Sequence, residues 1–360
     1  MIPEAADVQL PTLITRNESQ AIKGLLMLLI VMGHLRGINS TFQSFLYCFH
    51  VQAFFILSVC YPIKTLTITK ILSQGIKLLY PFWLFYTGLI IINVTILHES
   101  AFCNNHDIIP HTNNTLLGMW SYITGGIHLI NEFCGVQFLW FLPCFFSMTI
   151  IRMWIHRRKF SKGMINLFYL IGGITFCIYS VLWGAHFISR KFVLISEALS
   201  PFSVWQGLGY LTLGTVCVNI ILRNFLKNSI LPWIGVVLCS IIFILFYPNQ
   251  IVFRLLRGVF PIVFFLAIYY SRKYIEKISI LRCIGNFSFA IYMIHPLVCI
   301  LIELIVPRKI LDGFFALCVE FVIVLLISYI FASVINRIVF LRRVLFPRGE
   351  DFGLIKSKIA

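Results

Sequence analysis

Three histidines within apolar segments are the residues of this sequence that are best placed to do chemistry. His34 ends the run "KGLLMLLIVMGH", His50 begins another apolar run, and His295 lies inside "IYMIHPL". A neutral imidazole can accept a proton near pH 7, which makes it a suitable general base in a site of low polarity. Ionisable groups at membrane depth are costly and mark functional sites, although a hydrogen bond between two helices is the alternative role for each.

Cations flank these segments. Arg16 and Lys23 precede the run that contains His34, and the 11 residues from Lys23 to His34 correspond to about 16 Å of helix. Such a cluster can bind the phosphates of an anionic donor or can simply anchor a membrane helix, and the sequence leaves both roles open. Arg254 and Arg257 begin a later apolar run on the opposite side and share a helix face, which predicts binding of an anionic or sugar substrate there.

Metal binding is not predicted. The histidines within the segment 98–134 stand at irregular spacing, unlike the ligands of a metal site. The 11 cysteines lie mostly in apolar segments, as buried thiols do. Cys103 and Cys134 bracket the segment 98–134 and could form a disulfide if it faces an oxidising compartment.

The composition predicts that these side chains are positioned by transmembrane helices. The chain has 360 residues, of which 59% are hydrophobic and 12% are charged, and its mean hydropathy is +0.93. The net charge of +16 fits cations that flank membrane helices, so we predict no nucleic-acid partner. Because lipid leaves open backbone groups unpaired, the predicted fold is all-α, a polytopic helical bundle with membrane lipids around it.

Hydropathy predicts about ten transmembrane helices, and the Lys and Arg residues predict their orientation. With both termini in the cytoplasm, 22 of these cations lie inside and 7 outside. The predicted organisation is a cytoplasmic segment 1–20, an integral membrane domain 21–340 with an external loop 98–134, and a basic cytoplasmic tail 341–360. The predicted spans are 21–38, 42–61, 78–97, 135–154, 164–184, 201–222, 230–247, 255–271, 283–305 and 314–340.

Four stretches, in this order, resemble the acyltransferase-3 family of integral membrane acyltransferases. "RNESQAIKGLLMLLIVMGH" is similar to its opening signature through Arg16, Lys23, Gly24, Gly33 and His34, with Gln20 where Asp is usual. "FHVQAFFILSVCYP" is similar to its second helix, with Val59 where Gly is usual. "FLWFLPCFF" matches through Trp140, and "LRCIGNFSFAIYMIHPLV" through Gly285, Ser288, Tyr292 and His295.

The resemblance implies transfer of an acyl group, usually acetyl from acetyl-CoA, to a hydroxyl of a cell-surface glycan or its lipid-linked precursor. It implies His34 as the catalytic base with His50 in support, a donor site that includes Arg16, Lys23, Lys77 and Tyr292, and an acceptor site with Trp140, His295, Arg254 and Arg257. The family's Arg-x-x-Arg before a proline is replaced by Gln74 and Lys77 in "SQGIKLLYP". The implied location is the inner membrane of a bacterium, where lipopolysaccharide and capsule sugars are candidate acceptors.

Two other functions stay open at this point. A transporter or flippase could use the histidines as a proton relay, although the sequence lacks two similar halves. A polysaccharide polymerase would need arginine-rich external loops, and the segment 98–134 contains no Lys or Arg.

Overall fold

A computed structural model describes residues 13–35, 37–62, 66–95, 123–124, 138–158, 160–177, 201–222, 230–306 and 313–353. Throughout these ranges the secondary structure is helical, without strands, which confirms the all-α prediction for them. The segment 98–134, with Cys103 and Cys134, lies outside the described residues except for two positions.

The helices of the described residues are numbered here in chain order. They are α1 Arg16–Gly33, α2 Ser40–Tyr47, α3 His50–Val59, α4 Ile68–Thr95, α5 Phe141–Arg158, α6 Lys162–Cys177, α7 Val204–Leu222, α8 Ile230–Phe246, α9 Gln250–Tyr270, α10 Arg272–Ile275, α11 Ser279–Asn286, α12 Ser288–Ile305, α13 Phe314–Arg337 and α14 Val339–Leu345. Short 3₁₀ turns occupy Phe138–Trp140, Pro201–Ser203 and Gly349–Phe352.

Four described helical segments are long and apolar enough to cross a membrane. They are Ser40–Val59, Pro201–Ile221, Ile251–Tyr270 and Phe314–Arg337, and the bent pair α11–α12 would make a fifth. Two shorter apolar helices, Gly163–Thr175 and Ile230–Phe246, accompany them. The fold is therefore that of a helical membrane protein, and the total of ten spans stays a prediction.

Several predicted spans differ from the structure in detail. The second, 42–61, corresponds to the candidate span Ser40–Val59, within which Cys48 and Phe49 separate α2 from α3. The third begins at Ile68 rather than 78, because Thr67 accepts a hydrogen bond from the backbone N–H of Lys70 and starts the helix earlier. The ninth is not one straight helix, because α11 and α12 meet at an angle of 79°.

The bend between α11 and α12 lets α11 pack closely against α1. A Cβ atom on Gly24 would collide with the backbone carbonyl of Leu281, and one on Gly285 would collide with that of Gln20. Only glycine allows backbones to approach this closely. These two glycines were matched to the family from sequence, and the structure gives their physical reason: they fix α1 against α11.

The two ends of the predicted membrane domain also differ in detail. Helix α1 begins at Arg16, inside the predicted segment 1–20, where Thr15 and Glu18 form a capping box. Glu18 also forms an ion pair with Arg272, with 3.2 Å between Oε1 and Nε. Part of the predicted tail 341–360 is packed, because Phe346 is buried and stacks with Phe85 at a centroid distance of 5.6 Å.

Candidate active site

The three histidines singled out from the sequence converge in the structure. His34 caps the C-terminal end of α1, His50 is the first residue of α3, and His295 lies in α12. The rings of His34 and His295 are stacked, with centroids 5.2 Å apart and planes 9° apart. The ring of His50 faces Gly33, where a Cβ atom would lie 3.8 Å from its Nε2. Separate chain segments thus contribute three imidazoles to one cluster.

Tyr47 joins the cluster and was not identified from the sequence. Its hydroxyl lies 2.8 Å from Nδ1 of His34 and 3.3 Å from the carbonyl oxygen of Gly33. Its ring centroid is 5.1 Å from that of His50. The only sequence signal was its place three residues before His50, which became meaningful once the break between α2 and α3 was known.

The hydrogen bonds of His50 and His295 determine which ring nitrogen can accept a proton. In each ring Nδ1 donates to the carbonyl oxygen four residues earlier, that of Leu46 for His50 and that of Ile291 for His295, the latter at 3.1 Å. A carbonyl oxygen only accepts, so Nδ1 carries the proton and Nε2 of the neutral ring is an acceptor. Both Nε2 atoms are buried without a hydrogen-bond partner among the described residues. They could accept hydrogen bonds from hydroxyl groups of a ligand.

A cavity of about 520 Å³ lies next to this cluster. It is lined by residues of α1, α3, α4, α5 and α12 and of the turn after α3. Three residues from the predicted donor site, Lys23, Lys77 and Tyr292, belong to its lining, as does Gln74, while Arg16 does not. Arg16 is exposed at the first position of α1, two helical turns before Lys23.

One face of α1 connects the cavity to the histidine cluster. Lys23, Met27 and Ile30 line the cavity. His34 continues their spacing of three and four residues, so all four lie along the same side of the helix. Tyr292 connects the same two regions on α12, because it lines the cavity and its ring centroid is 5.9 Å from that of His295. The cavity therefore extends from a lysine towards an imidazole.

Arg152 is another residue that the sequence did not single out, because it was counted among the cations that set the membrane topology. It lines the cavity. Its guanidinium donates hydrogen bonds of 2.8–2.9 Å to the carbonyl oxygens of Ser58, Val59 and Tyr61. These carbonyls stand at the C-terminal end of α3, where a helix leaves acceptors unpaired and favours a positive charge. Arg152 thus holds the end of α3 in place beside the cavity, near Tyr61, whose ring lies 5.4 Å from Nζ of Lys23.

The predicted acceptor residues lie on other sides of the cluster. Arg254 and Arg257 are partly buried in the first turns of α9. Trp140 ends a 3₁₀ turn, and its ring lies 6.3 Å from Phe55 and 6.2 Å from Tyr210. Neither arginine lines the cavity, and neither does Trp140, although the next residue, Phe141, does. The structure therefore places His295 in the cluster and the other three residues around it.

Among the described residues, no group of three or more His, Cys, Asp and Glu side chains is arranged to hold a metal ion. The histidine cluster brings three imidazoles and the phenol of Tyr47 together. This set of groups is suited to moving protons and binding hydroxyls.

A family model for an acyltransferase domain, that of the acyltransferase-3 family, matches residues 16–337. The chain belongs to this family. The match begins at the first residue of α1 and ends at the last residue of α13, so it includes the cavity and all three clustered histidines. Neither the curated proteins nor the solved structures gave a significant match. Family and apolar helices together identify an integral membrane acyltransferase, and the family predicted from the sequence motifs is confirmed.

Proposed function

We propose that this protein transfers an acyl group, most simply acetyl, from acyl-CoA to a hydroxyl of a cell-surface polysaccharide or its lipid-linked precursor. The observation that supports this most is the continuous face of α1 from Lys23 through Met27 and Ile30 to His34. It joins a cation, an apolar channel wall and a base in that order. An acyl-CoA molecule has the matching order of phosphates, pantetheine arm and reactive thioester.

The donor would enter at the lysine end of the cavity. Lys23 and Lys77 line this end and can bind phosphates as point charges, with Arg16 further along the entrance. Met27, Ile30 and Phe145 offer apolar walls to the pantetheine arm. Tyr292, which lines the cavity and adjoins His295, would lie beside the thioester. At one of the two positions where the family has arginine this chain has Gln74, so Lys77 supplies the positive charge of that motif on α4.

In the chemical step His34 acts as a general base. It removes the proton from the acceptor hydroxyl while the oxygen attacks the thioester carbonyl carbon. A C–O bond forms, the C–S bond breaks, and the CoA thiolate takes the proton from the His34 imidazolium. The products are the acyl ester and free CoA, and no metal ion or redox cofactor takes part.

Tyr47 would set the tautomer of His34. When its single phenolic proton goes to the carbonyl oxygen of Gly33, the short contact of 2.8 Å requires Nδ1–H of His34 to donate to the phenol oxygen. Nε2 is then the basic nitrogen of the His34 ring. Tyr47 would therefore be a positioning residue for the base, as carboxylates and carbonyls are for other catalytic histidines.

The acceptor would approach from the side of α3 and α9. The two buried Nε2 atoms of His50 and His295 can accept hydrogen bonds from sugar hydroxyls. Trp140 would offer an aromatic surface, and Arg254 and Arg257 would orient the acceptor. Ten spans, cytoplasmic termini and an inner-membrane location would place the lysine entrance on the cytoplasmic side, where acyl-CoA is made.

The test combines purified protein with cells. Purified protein is incubated with radiolabelled acetyl-CoA and surface glycan prepared from cells that lack the gene, and label in the glycan is measured. We expect labelled glycan and stoichiometric release of free CoA. A protein that moves the glycan across vesicles without consuming acetyl-CoA would be a transporter, and this outcome would contradict the proposal.

A further inference from the structure

Arg257 carries a positive charge for which the described residues provide no anionic partner. Its side chain is partly buried, and its Nε–H is buried without a hydrogen-bond acceptor. The described ion pairs belong to Arg272, Arg342 and Arg343. The guanidinium lies over the ring of Phe253, with 5.6 Å from Cζ to the ring centroid, and a positive charge that is partly withdrawn from water is stabilised further by an anion. This side chain is therefore prepared to bind an anion.

The packing of α9 directs Arg257 towards the histidine cluster. Phe260 and Phe264 follow Arg257 on the same helix face and pack on Phe49, with ring centroids 4.5 Å and 4.3 Å apart. Phe49 immediately precedes His50. The charge of Arg257 also lies within electrostatic range of Tyr47 and His50. Arg257 therefore lies on the face of α9 that packs against the break between α2 and α3.

The donor phosphates are not suitable occupants of this position. Arg257 does not line the cavity that contains Lys23 and Lys77. It lies on the face of α9 that packs on Phe49, next to His50, where the acceptor is expected, whereas both lysines line the cavity. An anion that binds Arg257 would therefore belong to the second substrate.

We infer that Arg257 binds an oxyanion of the acceptor, so that the acylated glycan unit is an acidic sugar that bears a carboxylate or a phosphate. The inference rests on the proposed acyltransferase function and deepens it by naming the class of acceptor. The planar fork of a guanidinium matches both oxyanions with two parallel hydrogen bonds. The phosphate of a membrane lipid has the same chemistry and is the competing source of the anion.

The test uses two acceptors that differ only at C6. Purified protein in phosphate-free polyoxyethylene detergent receives acetyl-CoA with methyl β-glucuronide or methyl β-glucoside, and kcat/KM is measured for each. We expect the acidic acceptor to be favoured by about 10- to 100-fold, the effect of a charge-assisted bidentate contact. Arg257→Gln should remove this preference, and Arg257→Lys should retain part of it. Lys273→Gln, an exposed cation in α10, serves as the matched control.

Each other outcome has a defined meaning. Equal kcat/KM for both acceptors in the wild type, which does not depend on how the variants fold, would overturn the inference. So would CoA release with transfer to neither sugar. A rate that rises with added phosphatidylglycerol and loses this response in Arg257→Gln would assign the anion to lipid instead. A protein that neither binds nor consumes acetyl-CoA would contradict the proposed function itself.

Discussion

The imidazole of His34 stacks on that of His295, with 5.2 Å between the ring centroids and 9° between the ring planes. His295 is held by its hydrogen bond to the carbonyl oxygen of Ile291, and it is fully buried. A fixed ring on α12 therefore determines the plane of the ring at the end of α1. For the proposed role of His34 as a base, this arrangement would orient the ring before substrate arrives and lower the cost of reaching a productive geometry.

Replacing His34 tests the general-base assignment. His34→Ala should lower kcat for acyl transfer by about 10²- to 10⁴-fold, because no other group takes the proton from the acceptor hydroxyl. Binding of acyl-CoA, measured by calorimetry, should stay close to that of the wild type. His156→Ala removes an exposed histidine of α5 and should leave the rate unchanged. Normal transfer by well-folded His34→Ala would refute the role of this residue.

Tyr47→Phe removes one hydroxyl and tests whether that group orients His34. Loss of the contact between Tyr47 and Nδ1 should reduce kcat by about 10- to 100-fold, since a hydrogen bond to a group that becomes charged contributes about 1.5–3 kcal/mol. The KM for acyl-CoA should not change. Tyr274→Phe, at an exposed tyrosine, is the control. A matching fall in kcat and thermal stability, or a change confined to KM, would indicate a structural role instead.

Lys23→Gln and Lys77→Gln test the donor entrance. Each variant should raise the KM for acyl-CoA several-fold while kcat changes little, because the lysines are expected to bind phosphates away from the reacting carbon. Added salt should weaken donor binding in the wild type more than in the double variant. Dephospho-CoA thioesters provide an independent comparison, because they lack one of the phosphates. Unaltered KM in both variants would remove these lysines from the donor site.

Gly285→Ala tests the close contact between α1 and α11. The new Cβ atom would collide with the backbone carbonyl of Gln20, and overpacking of this kind costs about 1–3 kcal/mol. We expect a lower thermal midpoint and reduced transfer, because the His34–His295 stack depends on how α1 and α12 are held. Gly88→Ala is the matched control, since no heavy atom lies within 4 Å of its added Cβ and alanine favours the helix. Equal midpoints for the two variants would argue against the contact.

The C-terminal segment should be stable to moderate acid. Hydrogen bonds from Arg342 hold the pKa of Asp351 at about 2, below its ordinary value. Because the folded pKa is lowered, this pair stabilises the segment above the unfolded pKa near 4, and the contribution is lost as the pH falls towards 2. Limited proteolysis after Phe346 should stay slow from pH 8 to pH 5 and be faster in Asp351→Asn. A protection that declines already between pH 8 and pH 6 would contradict this expectation.

The sequence was sufficient to predict the class of fold and the family, because both depend on local patterns. Apolar runs predict membrane helices, and the order of short motifs over residues 16–297 predicts the acyltransferase-3 family. The sequence also singled out His34, His50 and His295, because each is an ionisable residue within an apolar segment, and the structure brings them together. The roles of Arg16, Lys23, Lys77, Tyr292, Trp140, Arg254 and Arg257 in binding stay predictions.

Features that depend on contacts between distant segments could not be predicted. The 79° bend before α12 allows the close packing of α11 on α1, and hydropathy does not register such a bend. Tyr47 becomes a neighbour of His34 only because the chain breaks at Cys48 and Phe49. Arg152 resembles any cation near a membrane surface until its three hydrogen bonds to the end of α3 are known.

Tyr292 on α12 lines the cavity and its ring centroid lies 5.9 Å from that of His295, whereas neither ring of the His34–His295 stack belongs to the lining. With the donor in the cavity and the acceptor on the other side of the stacked rings, the acyl group would pass from one substrate to the other. Both substrates would stay on the side from which they entered. Free CoA would leave backwards through the lysine entrance, and the esterified sugar would withdraw past α9. The protein would then need no alternating-access movement, because only the acyl group would pass from the donor side to the acceptor side of the protein.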